Sequence, residues 1–397
     1  MELLKNYYSE EYIDKIANII HSIYLKFDKK LFVKRVFNDD WSNKELKARM
    51  RHITEVLHGL LPGDYKRAIG ILKKAAPKMN GISKHAGFLN MFCPDFVEIH
   101  GMDDWGLSMD ALEEFTKYSS SEFAIRTFIV KDEVRAMAQM LKWSKSDNYH
   151  VRRLASEGCR SRLPWAMALP KFKKDPSLIV PILEILKDDE SEYVRRSVAN
   201  NLNDITKDNP QIVIDIAKRW LGFSKNRDKL VKHACRTLLK AGNQEVLKIF
   251  GYGGQVEMER FVIARSLVTQ QSSSSSVIAR SLVTQQSSSS SVIARSEATW
   301  QSIKIGENLN FNFLANIKKP AKIRFEYAIY YKKANGSHSK KVFQLKEGDF
   351  KAGEIQFSKK HSLRQMSTRK HYVGEHFLAI IVNGIEVGKV SFEVAKR

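Results

Sequence analysis

Three carboxylates, Glu122, Glu157 and Asp204, stand near the ends of helical patterns in the first 250 residues, and Glu157 sits among arginines. It belongs to "VRRLASEGCRSRLPWA", residues 151–166. A helix ending at Gly158 has its partial negative pole at Glu157, which costs a carboxylate a few tenths of a kcal/mol, up to about 1. Either an ion pair with Arg160 or Arg162 or a cationic ligand offsets that cost, and both readings stay open. Glu122 follows "YSSS", and Ser119-x-x-Glu122 matches a capping box, which accounts for it structurally. Asp204 in "NLNDI" occupies the corresponding turn of a later repeat, so the two acids would project onto one rim, although Asp is also a common loop residue. Trp165, after Pro164 at an expected helix start, is either a core side chain or a platform that stacks on sugar or base beside the acids.

Helices must position these groups. "EEYIDKIANIIHSIYLKF", "ELKARMRHITEVLHGLL" and "DYKRAIGILKKAAPKM" space apolar residues three and four apart, and no strand-like alternation competes before about residue 250. "VRRLASEGCRSRLPW" from Val151 returns as "VRRSVANNLNDITKD" from Val194, and a weaker "LVKHACRTLLKAGN" begins at Leu230. The 43-residue interval fits HEAT-like helix pairs, which stack because one pair cannot bury its own apolar face. The pairs Arg152/Arg153 and Arg195/Arg196 then open corresponding helices and present positive charge on one face, or are simply solvated helix ends.

Beyond Gly251 the pattern changes. "NLNFNFLANI", "KIRFEYAIYYKK", "KKVFQLKEG", "GEIQFSKK", "EHFLAIIVNG" and "IEVGKVSFEV" read as short strands, with tight turns at Asn335-Gly336 and Asn383-Gly384. The expected fold is multidomain: an all-α HEAT-like helical-repeat solenoid over 1–252, then an all-β, immunoglobulin-like sandwich over 253–397. An insert spanning 262–302 interrupts the sandwich at its first strand or first loop. "VIARSLVTQQSSSSS" at 262–276 recurs unchanged at 277–291, followed by a degraded copy, "VIARSEATWQS". Its Ser/Gln half is expected to be flexible.

The chain carries a formal charge of +22, with 66 Lys and Arg against 44 Asp and Glu. From Ile303 onward there are nineteen Lys or Arg and eight Asp or Glu, so half the excess falls in the last quarter. A polyanion partner, nucleic acid, is the natural reading. The three cysteines, Cys93, Cys159 and Cys235, lack any CxxC and are placed like core residues, which argues against disulfides and zinc and suits a reducing cytoplasm. No metal and no cofactor are expected, since HExxH and GxxxxGK[ST] are both absent. The N-terminus lacks a signal-peptide core and no apolar run is long enough for a membrane span, so neither export nor membrane insertion is expected.

These strings, with "SSEFAIRTFI" upstream, resemble the AlkC family of bacterial DNA alkylation-repair glycosylases, relatives of the AlkD HEAT-like enzymes. "YAIYYKKANGSHSKKVFQLKE" and "MSTRKHYVGEHFLAIIVNG" look like the immunoglobulin-like domain of one branch of that family. The resemblance implies a cytoplasmic, monomeric, monofunctional enzyme that hydrolyses the N-glycosidic bond of 3-methyladenine and 3-methylcytosine in double-stranded DNA, without base flipping. It implies that Glu122, Glu157 and Asp204 surround the lesion and that Trp165 packs on the deoxyribose. Arg152, Arg153, Arg160, Arg162, Arg195 and Arg196 are candidates for backbone phosphates, as are Arg369, Lys370 and His371 in a loop of the sandwich. A scaffold that recognises distorted DNA without chemistry is the rival. Deletion of 262–291 is expected to leave folding intact and activity equal or higher; thermal denaturation of the deleted chain checks this, and a chain that no longer folds would show the repeat to be structural.

Overall fold

The computed structural model describes residues 3–264, 302–366 and 370–396. These fall into two compact units, one up to Cys235 and one from Arg236 onward. The composition change at residue 252 therefore lies inside the second unit.

The first unit is helical throughout its described residues. Short polar side chains start the helices by taking up free amides: Asp64 accepts from the Arg67 N–H, Asp104 from Leu107 and Ser224 from Arg227. The repeat read from the sequence is structural. The Tyr149–Glu157 helix packs on the Glu192–Ile205 helix, which packs on the Lys225–Ala234 helix. Val151 and Val194, at equivalent positions, are both fully buried in this stack. The outer helices Val180–Leu186 and Pro210–Trp220 complete the two pairs and supply Ile182, Leu183, Ile216 and Trp220 to the core. No helix among the described residues is long and apolar enough to cross a membrane.

The second unit opens with two short helices, Arg236–Lys240 and Gln244–Ile249, and continues as a β-sandwich. Its strands are β1 (Val256–Ala264), β2 (Ser302–Lys304), β3 (Asn308–Ile317), β4 (Ala321–Lys332), β5 (His338–Phe350), β6 (Gly353–Ser362), β7 (Gly374–Val382) and β8 (Ile385–Ala395). One sheet has the order β1-β3-β6, the other β2-β8-β7-β4-β5, with all neighbours antiparallel except β2 and β8. Strict alternation in β3 buries Leu309, Phe311, Phe313, Ala315 and Ile317 against Ile323, Phe325 and Tyr327 of β4. The turn at Asn383-Gly384 has positive φ at both residues, 47° and 79°, the conformation that a two-residue hairpin demands.

All six strands expected from the sequence are present, and β1 and β2 add one to each sheet on either side of 265–301. Val262, Ile263 and Ala264 continue β1, so the first three residues of the tandem unit are strand and not insert. Residues 292–294 repeat the same Val-Ile-Ala, so removal of 262–291 would return identical residues to that place. The expected flexibility of the Ser/Gln segments concerns residues outside those described.

All three cysteines are free and buried. Burial raises the Cys159 and Cys235 thiols from 9.0 to about 12 and raises Cys93 as well. Their contribution to stability is therefore fully present below pH 9 and is lost as the pH rises toward 12. The native protein is accordingly expected to leave all three thiols unreactive toward a disulfide reagent at pH 8 and to titrate three on unfolding. Any thiol that reacts at the native baseline contradicts this packing.

Candidate active site

The first unit contains an open cleft of about 670 Å³. Glu122, Arg153, Glu157, Arg160, Trp165 and Tyr193 are among its lining residues. Three segments bring them together: the turn before the Ile125–Lys131 helix, the Tyr149–Glu157 helix with the turns that follow it, and the start of the Glu192–Ile205 helix.

The charged groups form an alternating ladder. Arg153 Nη1 donates to Glu122 Oε2 at 2.7 Å, and its Nη2 lies 3.7 Å from Glu157 Oε1. Arg160 Nη1 donates to the same Oε1 at 2.6 Å, while its Nε and Nη2 reach Asp204 Oδ2 at 2.9 and 2.8 Å. Lys207 closes the series at 3.1 Å from Asp204 Oδ1. Glu157, Arg160 and Asp204 are only 5%, 7% and 3% exposed, so each charge depends on the next for compensation. Burial alone pulls the Arg153 and Arg160 guanidinium groups down, but the neighbouring carboxylates outweigh it and both end above their ordinary value. The local ion pair considered for Glu157 therefore exists with Arg160, and Arg153 shares it. Glu157 nevertheless remains on the cleft wall.

Several expected roles need correction. Glu122 is not part of a capping box: the helix starts at Ile125, and Glu122 Oε2 accepts from Ser120 Oγ at 2.8 Å in the turn before it. Glu157 does not project from a rim: it is buried, with its side chain in the cleft wall. Asp204 does not share a rim with it; it is held behind Arg160, since the last turn of its helix points into the packed stack. Arg152 and Arg195 are staples. Arg152 Nη1 donates to the Ser146 and Asp147 carbonyls, and 43 residues later Arg195 Nη1 donates to those of Asp189 and Glu190. Arg152 also binds the Asp189 carboxylate through Nε at 2.6 Å and Nη2 at 3.1 Å. Arg162 is paired with Asp208, at 2.6 Å, and is partly exposed. Arg196 is exposed and forms no ion pair among the described residues. In the second unit Lys370 is exposed, whereas His371 is buried beside Tyr331 and is not available on a loop surface. Arg369 lies outside the described residues.

Trp165 is neither core nor at a helix start. It is 60% exposed, in the turns between Gly158 and Leu169, with φ of +64°. That conformation costs an L-residue roughly 1–2 kcal/mol, and an exposed ring regains little of it by packing. Neighbours impose it. Lys47 Nζ donates to the Trp165 carbonyl at 2.7 Å, and the rings of Phe88 and Trp165 meet edge-on at 6.2 Å.

Arg126 fixes the same segment from below and was not legible as a site residue. Fully buried, it donates through Nη1 to the carbonyls of Gly158 and Arg160 and through Nε to that of Met167, each at 2.8 Å. Burial lowers its pKa from 12.5 to about 10, so it stays charged at neutral pH. Gly158 is needed there for space: a Cβ would stand 2.7 Å from Ile125 Cγ2 and 2.9 Å from Met140 Cε. Other cleft residues not anticipated are Tyr193, whose ring lies 4.5 Å from the Arg153 guanidinium, and His150. Burial first and Arg153 second push His150 below its ordinary value. Among the described residues no cluster of three or more His, Cys, Asp or Glu is arranged to hold a metal ion.

Two stability measurements follow. Trp165→Gly is expected to leave the unfolding free energy, measured by denaturant titration, within about 1 kcal/mol of wild type, since strain relief offsets the added chain entropy. A core Trp would lose about 3–5 kcal/mol on truncation, and a loss of that size would contradict the exposed placement. Gly158→Ala is expected to cost roughly 1–3 kcal/mol by overpacking against Ile125 and Met140, read as a lower midpoint at unchanged slope.

The family description "DNA alkylation repair enzyme" matches residues 115–242, the segment that holds Glu122, Glu157, Trp165 and Asp204. A second, "Uncharacterised protein YhaZ, C-terminal Ig-like domain", matches residues 292–396. The Bacillus subtilis (strain 168) protein YhaZ is 39% identical over 392 residues, 98% of this chain and 99% of that protein. The solved structure of Pseudomonas fluorescens alkylpurine DNA glycosylase AlkC, bound to DNA containing an abasic site analog, is similar with 35% identity and a TM-score of 0.85. It is covered over 100% of its length and covers 99% of this chain. Through its helical repeats, its immunoglobulin-like domain and its sequence along nearly its whole length, this chain belongs to the AlkC and YhaZ family of DNA alkylation-repair proteins.

Proposed function

We propose that this protein is a monofunctional DNA glycosylase that hydrolyses the N-glycosidic bond of cationic alkylated bases, chiefly 3-methyladenine and 3-methylcytosine, in duplex DNA. It acts without flipping the base, as a monomer in the cytoplasm, at the first step of base excision repair. The observation that carries this reading is a carboxylate, Glu157, fixed by two arginines on the wall of an open cleft that also holds the exposed ring of Trp165.

The chemistry follows from charge. A methylated cationic base leaves with the bonding pair and departs neutral, so no strong general acid is required. The positive charge passes to the sugar, as in glycoside hydrolysis. A carboxylate already oriented beside C1′ stabilises that charge without reorganising when it forms. Glu157 and Glu122 on the cleft wall are the acids for this task and for holding the attacking water, with Asp204 acting through Arg160. Trp165, presented to solvent, packs on the deoxyribose. Arg196 and Lys370, both exposed, and the partly exposed Arg162 remain the cations for backbone phosphates.

Single-turnover release of free 3-methyladenine from methylated duplex DNA tests the reading. Glu157→Gln is expected to slow release by about 10²–10⁴, and Asp204→Asn by about tenfold to a hundredfold through a displaced Arg160. Full rates in both variants would sink the site assignment. Tight binding by the wild type with no base released would establish the scaffold reading instead.

A further inference from the structure

Superposition of the chain on itself at the 43-residue interval aligns Val151 with Val194, Arg152 with Arg195 and Leu154 with Ser197. Leu154 is 1% exposed and is an ordinary core residue of the stack, whereas the equivalent Ser197 is 2% exposed. A hydroxyl in a core position costs stability unless it finds a partner. Here it has two. Ser197 Oγ donates to Glu157 Oε2 at 2.5 Å, and Ser156 Oγ, itself fully buried, lies 2.6 Å from Ser197 Oγ and donates to it. The Ser156 proton has the Arg153 carbonyl at 3.1 Å as its alternative acceptor.

We propose that Ser197 is a positioning residue of the active site, orienting the Glu157 carboxylate from the neighbouring repeat. Arg160 donates to Oε1, and the Arg153 guanidinium approaches the same oxygen. Contacts to Oε1 alone leave the carboxylate free to tilt about that oxygen, and Ser197, by occupying Oε2, anchors its plane at both oxygens. A hydroxyl that accepts a hydrogen bond is also a better donor, so Ser156 strengthens the contact. The orientation matters most when positive charge develops on the sugar, and Ser197 therefore acts on the chemical step and not on DNA affinity. The inference rests on the glycosylase reading given above.

The competing account makes Ser156 and Ser197 merely a small-residue contact that lets the Tyr149–Glu157 and Glu192–Ile205 helices approach. Ser197→Ala separates the two, because it keeps the small volume and removes only the hydroxyl. Single-turnover release of 3-methyladenine is measured as a function of enzyme concentration for wild type, Ser197→Ala and Ser197→Thr, with thermal denaturation of each. The expected result for Ser197→Ala is a maximal rate about tenfold to a hundredfold lower, half-saturation within about twofold of wild type, and a melting temperature lowered by no more than a few degrees as Glu157 Oε2 loses its donor. Ser197→Thr, which retains the hydroxyl, recovers most of the rate. A Ser197→Ala rate equal to wild type, a loss confined to half-saturation, or a Thr variant as slow as Ala with native stability overturns the proposal and leaves the glycosylase reading intact. No release by the wild type overturns both.

Discussion

A carboxylate buried in the last turn of a helix is stable only where cations and donors meet it. Glu157 is such a carboxylate, and the site is built around meeting that requirement. Two arginines address one of its oxygens and a serine the other. Each arginine then needs a second acid, which Glu122 and Asp204 provide. Removing any single member would leave a buried charge without its partner, which costs more than the pair contributes to folding. The ladder is thus weak evidence for stability and strong evidence for a fixed electrostatic arrangement: its acids cannot turn away when no substrate is bound.

The helical repeat explains how one sequence pattern serves both scaffold and site. In each copy the first arginine of the pair closes the turn that precedes its helix, so Arg152 and Arg195 make the same contacts 43 residues apart. The second arginine differs: Arg153 joins the acids in the cleft, while Arg196 faces solvent. The divergence continues where Ser197 replaces Leu154 and Asn200 stands opposite Glu157. The staples repeat because every helix pair must be closed. The acids do not, because in the proposed function only one place along the stack meets the sugar.

Much of this was legible in the sequence. The helical repeat follows from apolar spacing, the six longer strands from alternation and turn residues, and the ion pairing of Glu157 from its cost at a helix end. What was not legible depended on which way a side chain points. Ser119-x-x-Glu122 has the spacing of a capping box, but the helix begins three residues beyond Glu122. Arg152 and Arg153 are adjacent in sequence and lie on different faces of one helix, one a staple and one a site residue. Asp204 shares the last-turn position with Glu157 and is as deeply buried, but it is held behind Arg160 while Glu157 lines the cleft. Arg126 looked like one basic residue among many; its role arises from three carbonyls that converge only once the turns after Gly158 are folded. The exchange of Leu154 for Ser197 was visible in the repeat alignment, and only the hydrogen bond to Glu157 gives it meaning.

The central claim is that the cleft recognises positive charge on the sugar through a pre-oriented Glu157. The most direct measurement compares the affinity for duplex DNA carrying a cationic pyrrolidine in place of the deoxyribose with that for the same duplex carrying a neutral tetrahydrofuran. The account predicts a preference for the cationic sugar of about tenfold or more, retained at moderate salt and abolished in Glu157→Gln. Equal affinities for the two duplexes in the wild-type protein, or a preference that survives loss of the Glu157 charge, would contradict it.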